Sequence, residues 1–499
     1  MAHDSLREDL KINWNFEYTT RKPDDRYKAE DRKLANPPTS SDNLIKALSE
    51  ADASGLRPNY YSFSVLTKFL GSAHIDTLLR PPGNAASRAK LAFIDDRRDS
   101  DSVGGAIRNV RSTDHQAIPQ PGTLPWMAAV DACGLYNRLR LPRAGSNAER
   151  RIIYVQNLGA LYAAVLLSMA PNRFALDIRD CLQRYLTHRA LFRISPQSFG
   201  FVLEFHLPYL ALRPAGNRKD DRDRRRRHKL PTRDEARMRG AAQRWEYHEA
   251  QISLLLVGPD EWFWTAYCLV DTFFGSEKSV VDYLGSDPPL DPSGGGTIFV
   301  NEPIWSPREY FLKILSARLE QVSQEWSDLG AAIDAQLVDY EEAYNSNLEA
   351  GKFIDDPKNS SVKLFMHVVS VLRHFREVLG HTLYAWDAFL ASDSHCLIHS
   401  DETTDQKWRV SLSACKAAVF EMQFLDRVLS RKIELFNGMK DDVCDTSLGP
   451  AFKITPLNLA KLINASVLEE NRVASGQGRD VSILTQTTVV RMQPFWYTG

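Results

Sequence analysis

Cysteine is scarce in this chain and never closely paired. The six cysteines, Cys133, Cys181, Cys268, Cys396, Cys415 and Cys444, are scattered over 499 residues without a CxxC spacing. That pattern suits a reducing compartment better than a disulfide framework. An excess of charge of one sign is missing too, since 62 Lys and Arg against 63 Asp and Glu leave a formal net charge of −1. No whole-chain field draws nucleic acid or an anionic membrane. The N-terminus, MAHDSLREDLKINWNF, has no apolar core of a signal peptide, and Met1-Ala2 is not a myristoylation start. Long apolar runs are absent as well. The nearest is 152–170, which Gln156, Asn157 and Gly159 interrupt and Pro171 ends. A strand followed by a buried helix accounts for it better than a membrane span. There is no nucleophile elbow, P-loop, dinucleotide-binding glycine motif or HExxH, so nothing argues for an enzyme. The expectation is a cytoplasmic, non-enzymatic chain.

What is present is length and ordinary apolar content, 43% hydrophobic. A chain of this size exceeds one core, so two or three domains are expected. Residues 1–123 read as a polar N-terminal arm, short helices and a linker, the last from the Asp, Ser, Gly and Pro content of 95–123. Residues 124–300 mix apolar strands (152–157, 198–207, 250–258) with a helical stretch over 161–189. That mixture implies an α/β layer domain. Within it lies RKDDRDRRRRHK, residues 218–229. The segment DPPLDPSGGG, 287–296, reads as a loop at the boundary to a helical third.

That third, 301–490, reads as a long-helix stalk region, followed by a tail over 491–499. Ser306, Pro307 and Glu309 have the N-cap, N1 and N3 pattern of a helix start. Phe311, Leu315, Leu319, Val322, Trp326, Leu329, Ile333, Leu337, Tyr340 and Tyr344 then follow at steps of four and three. Such a seam runs for about five heptads. Segments 361–391 and 405–437 carry similar seams, and a fourth helix is expected from Thr455-Pro456. The fold class expected is α+β, an α/β layer domain followed by a long helical, coiled-coil-like stalk.

Several residue groups invite chemistry. His367, His374 and His381 recur every seven residues, about 10.5 Å apart along a helix, too far to share one ion. A solvated or hydrogen-bonded flank is the plain expectation. His395, Cys396 and His399 form HCxxH, which could hold zinc given a fourth ligand, although an ordinary polar loop explains it. The basic run is expected to be an insertion loop; it holds no aromatic to stack on bases, so nucleic acid is not the expected partner. Trp262, Phe263 and Trp264 are expected to pack in a core rather than to cage a ligand.

Three stretches resemble fungal proteins related to the CorA magnesium transporters: 245–275 (WEYHEAQISLLLVGPDEWFWTAYCLVDTFFG), 302–326 (EPIWSPREYFLKILSARLEQVSQEW) and 464–490 (NASVLEENRVASGQGRDVSILTQTTVV). The resemblance covers roughly 150–490. It implies a cytosolic α/β domain with long helices, a homopentamer, Mg²⁺ as the ion, and two membrane spans forming the pore. Regulatory Mg²⁺ in that family sits on carboxylates between subunits, as a hard cation requires. Here Asp334, Asp339, Glu341 and Glu342 cluster late in the first long helix and are the candidates. The pore signature Gly-Met-Asn is absent, its closest echo being Gly438-Met439-Lys440. No pair of apolar helices follows Val490. The functional expectation is therefore a regulatory, ion-sensing cytosolic domain without its own pore. The alternative is a soluble coiled-coil interaction protein that has lost transport.

Overall fold

The computed structural model describes residues 14–30, 64–73, 89–98, 127–141, 148–197, 199–215, 227–229, 245–272, 277–349, 360–397 and 402–447, with 43, 44, 46, 75, 78, 143 and 225 between them. The expected fourth helix, the resemblance over 464–490, the tail, His399 and most of the basic run lie outside these residues.

The strands are β1 (Ala92–Arg97), β2 (Met127–Val130), β3 (Arg150–Gln156), β4 (Leu191–Gln197), β5 (Gly200–Pro214), β6 (Arg227–Lys229), β7 (Trp245–Gly258) and β8 (Trp264–Val270). The helices are α1 (Asp24–Glu30), α2 (Ser64–Leu70), α3 (Ala132–Arg140), α4 (Ala160–Ser168), α5 (Ala175–Leu186), α6 (Val280–Leu284), α7 (Pro307–Glu349), α8 (Ser360–Ser392) and α9 (Glu402–Ser447). The strands form one mixed sheet in the order β2-β1-β3-β8-β7-β5-β4, with β6 added to β7. Among the described strands only β3 and β8 run parallel; the other pairings are antiparallel. The fold is α+β.

The sequence of β7 explains its place. ISLLLV, residues 252–257, is apolar on both faces, which a strand requires when both sides of its sheet are covered. Leu254 and Leu256 join the core beneath the long helices, and Leu255 and Val257 join the core beneath α2–α5. On the first face α7 and α8 lie against the sheet, and α9 packs on both of them as an outer layer. At Gly330 of α7 an added Cβ would stand 2.8 Å from Leu425, so a glycine permits the close approach of α9.

The seam of α7 is spent inside the chain. Leu315, Leu319, Val322, Ile333 and Leu337 are all fully buried, and they belong to the core shared with the sheet. The seam therefore offers no free face at Leu315 and Val322. Among the described residues the long helices and the sheet share one core.

Two segments differ from expectation, and the expected loop at 287–296 is tightly held. Residues 92–97, whose DDR falls in the expected linker, are a fully buried strand. Each charge there has a partner: Asp95 pairs with Arg97 and Arg150, and Asp96 with Arg138 and Arg151. Composition misleads because charges matched across strands are as compatible with a sheet as with solvent. The N-terminal arm is docked over 14–30. Tyr18 donates to the Gly200 carbonyl at 2.6 Å, Trp14 donates to Glu261 at 3.1 Å, and Tyr27 stacks on Phe263. Three aromatics in a polar segment supply that anchoring. The DPSGGG loop is held against α7, where Tyr310 donates to buried Asp291 at 2.9 Å and Arg318 donates to the carbonyls of Pro292 and Ser293. Trp264 and Phe263 pack in the interior, as expected, while Trp262 is 36% exposed.

Candidate functional site

The acidic candidates on α7 are partly engaged within the chain. Lys432 of α9 sits 3.1 Å from Asp334 and 3.5 Å from Glu341. The Lys432 ammonium thus already balances charge at two of the four carboxylates. Glu342 is exposed, and the side chain of Asp339 lies outside the described residues. His395 and Cys396 are adjacent, but Cys396 is buried, and burial pushes its thiol up to about 11. A protonated thiol is a poor metal ligand. Among the described residues, no helix is long and apolar enough to cross a membrane.

A buried polar network lies between α5 and the sheet. Glu204 of β5 accepts from Arg184 and Arg193, both at 2.8 Å, and meets His206 Nε2 at 2.8 Å. The guanidiniums hold the Glu204 carboxyl well below the usual range against the opposing cost of burial. An ionised Glu204 can only accept, so the His206 Nε2 carries the hydrogen. Its Nδ1 then accepts from Ser253, 2.7 Å away. The Ser-His-Glu sequence resembles a nucleophilic triad in connectivity. All three side chains are fully buried, so no substrate reaches Ser253. Cys181 also approaches this group, with ligand atoms of Cys181, Glu204 and His206 within 4.8 Å of one another. Two guanidiniums already neutralise the carboxylate, which disfavours adding a dication. This cluster is structural.

Just past the end of β8, Asp271 is fully buried. It accepts from Tyr185 and from Arg225 Nε, both at 2.7 Å. Arg225 belongs to the basic run, and its side chain is buried. One member of that run is therefore an internal anchor rather than part of a solvated patch. Beside it His188 donates from Nε2 to the Ala250 carbonyl at 2.9 Å. Burial, followed by the nearby Arg225 charge, lowers the His188 pKa to about 3.

A histidine held neutral in the fold takes up its proton on unfolding. Its folded pKa lies below the unfolded value near 6.5, so its contribution is complete above about pH 6.5 and is lost as pH falls toward 3. Lowering the pH from 7 to 5 should therefore cost about 2 kcal/mol through His188 alone. In His188→Asn that slope should shrink by the same amount, since asparagine tolerates the positive φ of 54°. Urea unfolding at a series of pH values measures it; an unchanged slope would refute the assignment.

Where β6, β7 and α8 meet, His228, Glu249 and His374 place one ligand atom each within 4.8 Å of one another. His374 is the middle member of the heptad histidines; its neighbours His367 and His381 are exposed. The one signal in the sequence was that His374 sits beside the apolar seam of α8. His228, at the end of the basic run, carried none.

The outer side of α9 carries a row of exposed apolar residues. Val410, Phe420, Phe424 and Leu435 are 65%, 59%, 56% and 44% exposed. At 100° per residue they fall within an arc of about 80°. The opposite side, with Trp408, Cys415, Val419, Met422 and Leu429, is buried. No protein-family model matches the chain, and no curated protein matches it.

Proposed function

We propose that the chain is the cytosolic, ion-sensing part of a CorA-like divalent-cation transporter and that it acts as a homo-oligomer. The observation that carries this reading is the apolar outer face of α9. A helix whose inner face is satisfied by its own chain, and whose outer face still exposes two phenylalanines and two aliphatic residues, is built for a second surface. The layered sheet with three long helices is consistent with the cytosolic architecture that the resemblance implies, the long helices being the stalk-forming part. Five copies and Mg²⁺ are what the same resemblance supplies.

The regulatory chemistry is electrostatic. Exposed Glu342, Glu421 and Glu434 lie on the helical layer, Glu421 and Glu434 beside the α9 stripe. In an assembly, like charges gathered at a boundary repel, and a dication between them offsets the repulsion. Loss of the ion shifts the population toward looser packing. Hydrogen exchange of the α9 amides is therefore expected to be at least about tenfold slower in millimolar Mg²⁺ than in chelator, a coupling of about 1.4 kcal/mol. Identical exchange in the two buffers would defeat the ion-sensing reading and favour an interaction protein that uses the same face.

A further inference from the structure

We propose that His228, Glu249 and His374 bind a borderline divalent transition-metal ion, zinc(II) being the best fit, which clips β6 and β7 to α8. The inference is independent of the transporter reading, and it concerns a different class of ion.

The donor set comes first. Two imidazoles and one carboxylate, with ligand atoms mutually within 4.8 Å, form a three-residue site of the kind that leaves a fourth position for water. Zn–N distances of 2.0–2.1 Å place the ligand atoms of a tetrahedral site about 3.3 Å apart. Closing from 4.8 Å or less to that value asks for side-chain movements of about 1.5 Å, within the reach of χ rotations. A hard cation such as Mg²⁺ prefers oxygen ligands throughout, so two nitrogens select against it.

The geometry supports convergence. The rings of His228 and His374 are 5.6 Å apart and tilted at 52°, so they do not stack on each other. His228 instead stacks on Tyr247 at 4.9 Å and 14°, and Tyr247 meets Phe375 edge-on at 4.9 Å. This aromatic wall fixes His228 and the α8 backbone next to His374. The Nε2 atom of His374 is buried without a hydrogen-bond partner. A buried nitrogen left so is destabilising, and a metal bond satisfies it.

The chain contains its own controls. Cys181, Glu204 and His206 form a second cluster, fully buried in the same sheet, with the carboxylate held by Arg184 and Arg193. His367 is exposed one heptad away on the same helix.

The test uses the full chain, stripped with chelator and titrated with Zn²⁺ in competition with a chromogenic chelator. One equivalent is expected to bind, at least about 100-fold more tightly than Mg²⁺ does. His374→Gln and Glu249→Gln should each weaken binding at least about 100-fold, while His367→Gln and His206→Gln leave it unchanged. Cobalt(II) should give the intense visible bands of a four- or five-coordinate site, and His374→Gln should abolish them. Circular dichroism of the metal-free variants separates loss of ligand from loss of fold. Absence of a stoichiometric site in the wild type, or full affinity in both folded variants, overturns the proposal. So does loss of binding in His206→Gln with retention in His374→Gln.

Discussion

Replacing Arg318 with alanine is expected to destabilise the fold by about 3–5 kcal/mol, among the largest single-residue effects in the chain. The side chain is fully buried in α7. It pairs with Glu277 and donates to the Ser293 carbonyl at 2.7 Å, the Pro292 carbonyl at 2.6 Å and Gln321 at 2.6 Å. Alanine strands a carboxylate and two carbonyls in the interior, and an uncompensated buried charge outweighs the lost attraction itself. The loop at 292–296 also depends on this guanidinium, which lies 3.3 Å from where a Cβ of Gly295 would stand; Gly295 has φ 63°. Lysine keeps the charge but cannot fork toward two carbonyls, so Arg318→Lys should fall between alanine and the wild type. Urea denaturation measures both variants. A loss below about 1 kcal/mol for alanine would mean that the loop finds other partners.

The long helices were legible because their signal is local. Seams at steps of three and four over 307–346, 361–391 and 405–437 correspond to α7, α8 and α9 within a few residues, except that α9 runs on to Ser447. What the seams face was not legible. Periodicity identifies an apolar stripe without naming its partner, and the partner of Leu315 and Val322 is the chain's own sheet and helices. Strand β1 was hidden because Asp95, Asp96 and Arg97 read as solvated, although their counter-charges arrive from β3 and α3. Arg225 was hidden likewise, since Asp271 lies far along the chain. His228, Glu249 and His374 were invisible as a group for the same reason. Spacing rules find ligands on one element, whereas these sit on three.

The candidate surface does have a signal in the sequence. Phe420 and Phe424 do not belong to the α9 seam of Trp408, Leu412, Cys415, Val419, Met422 and Leu429. Apolar residues out of register with a seam mark a second face. Burying a phenylalanine contributes about 1.5–3 kcal/mol, so removing two per subunit disables a modest interface. Phe420→Glu with Phe424→Glu also sets like charges against each other across any symmetric contact. The inner face of α9 is untouched, so the monomer should unfold at nearly the wild-type midpoint.

Light scattering with size-exclusion chromatography tests the assembly most directly. In millimolar Mg²⁺ the wild-type chain should elute with a mass several times 56.5 kDa, and the Phe420→Glu, Phe424→Glu variant should elute at 56.5 kDa. A wild-type mass of 56.5 kDa at the highest soluble concentration, or a variant that stays assembled, would contradict the account.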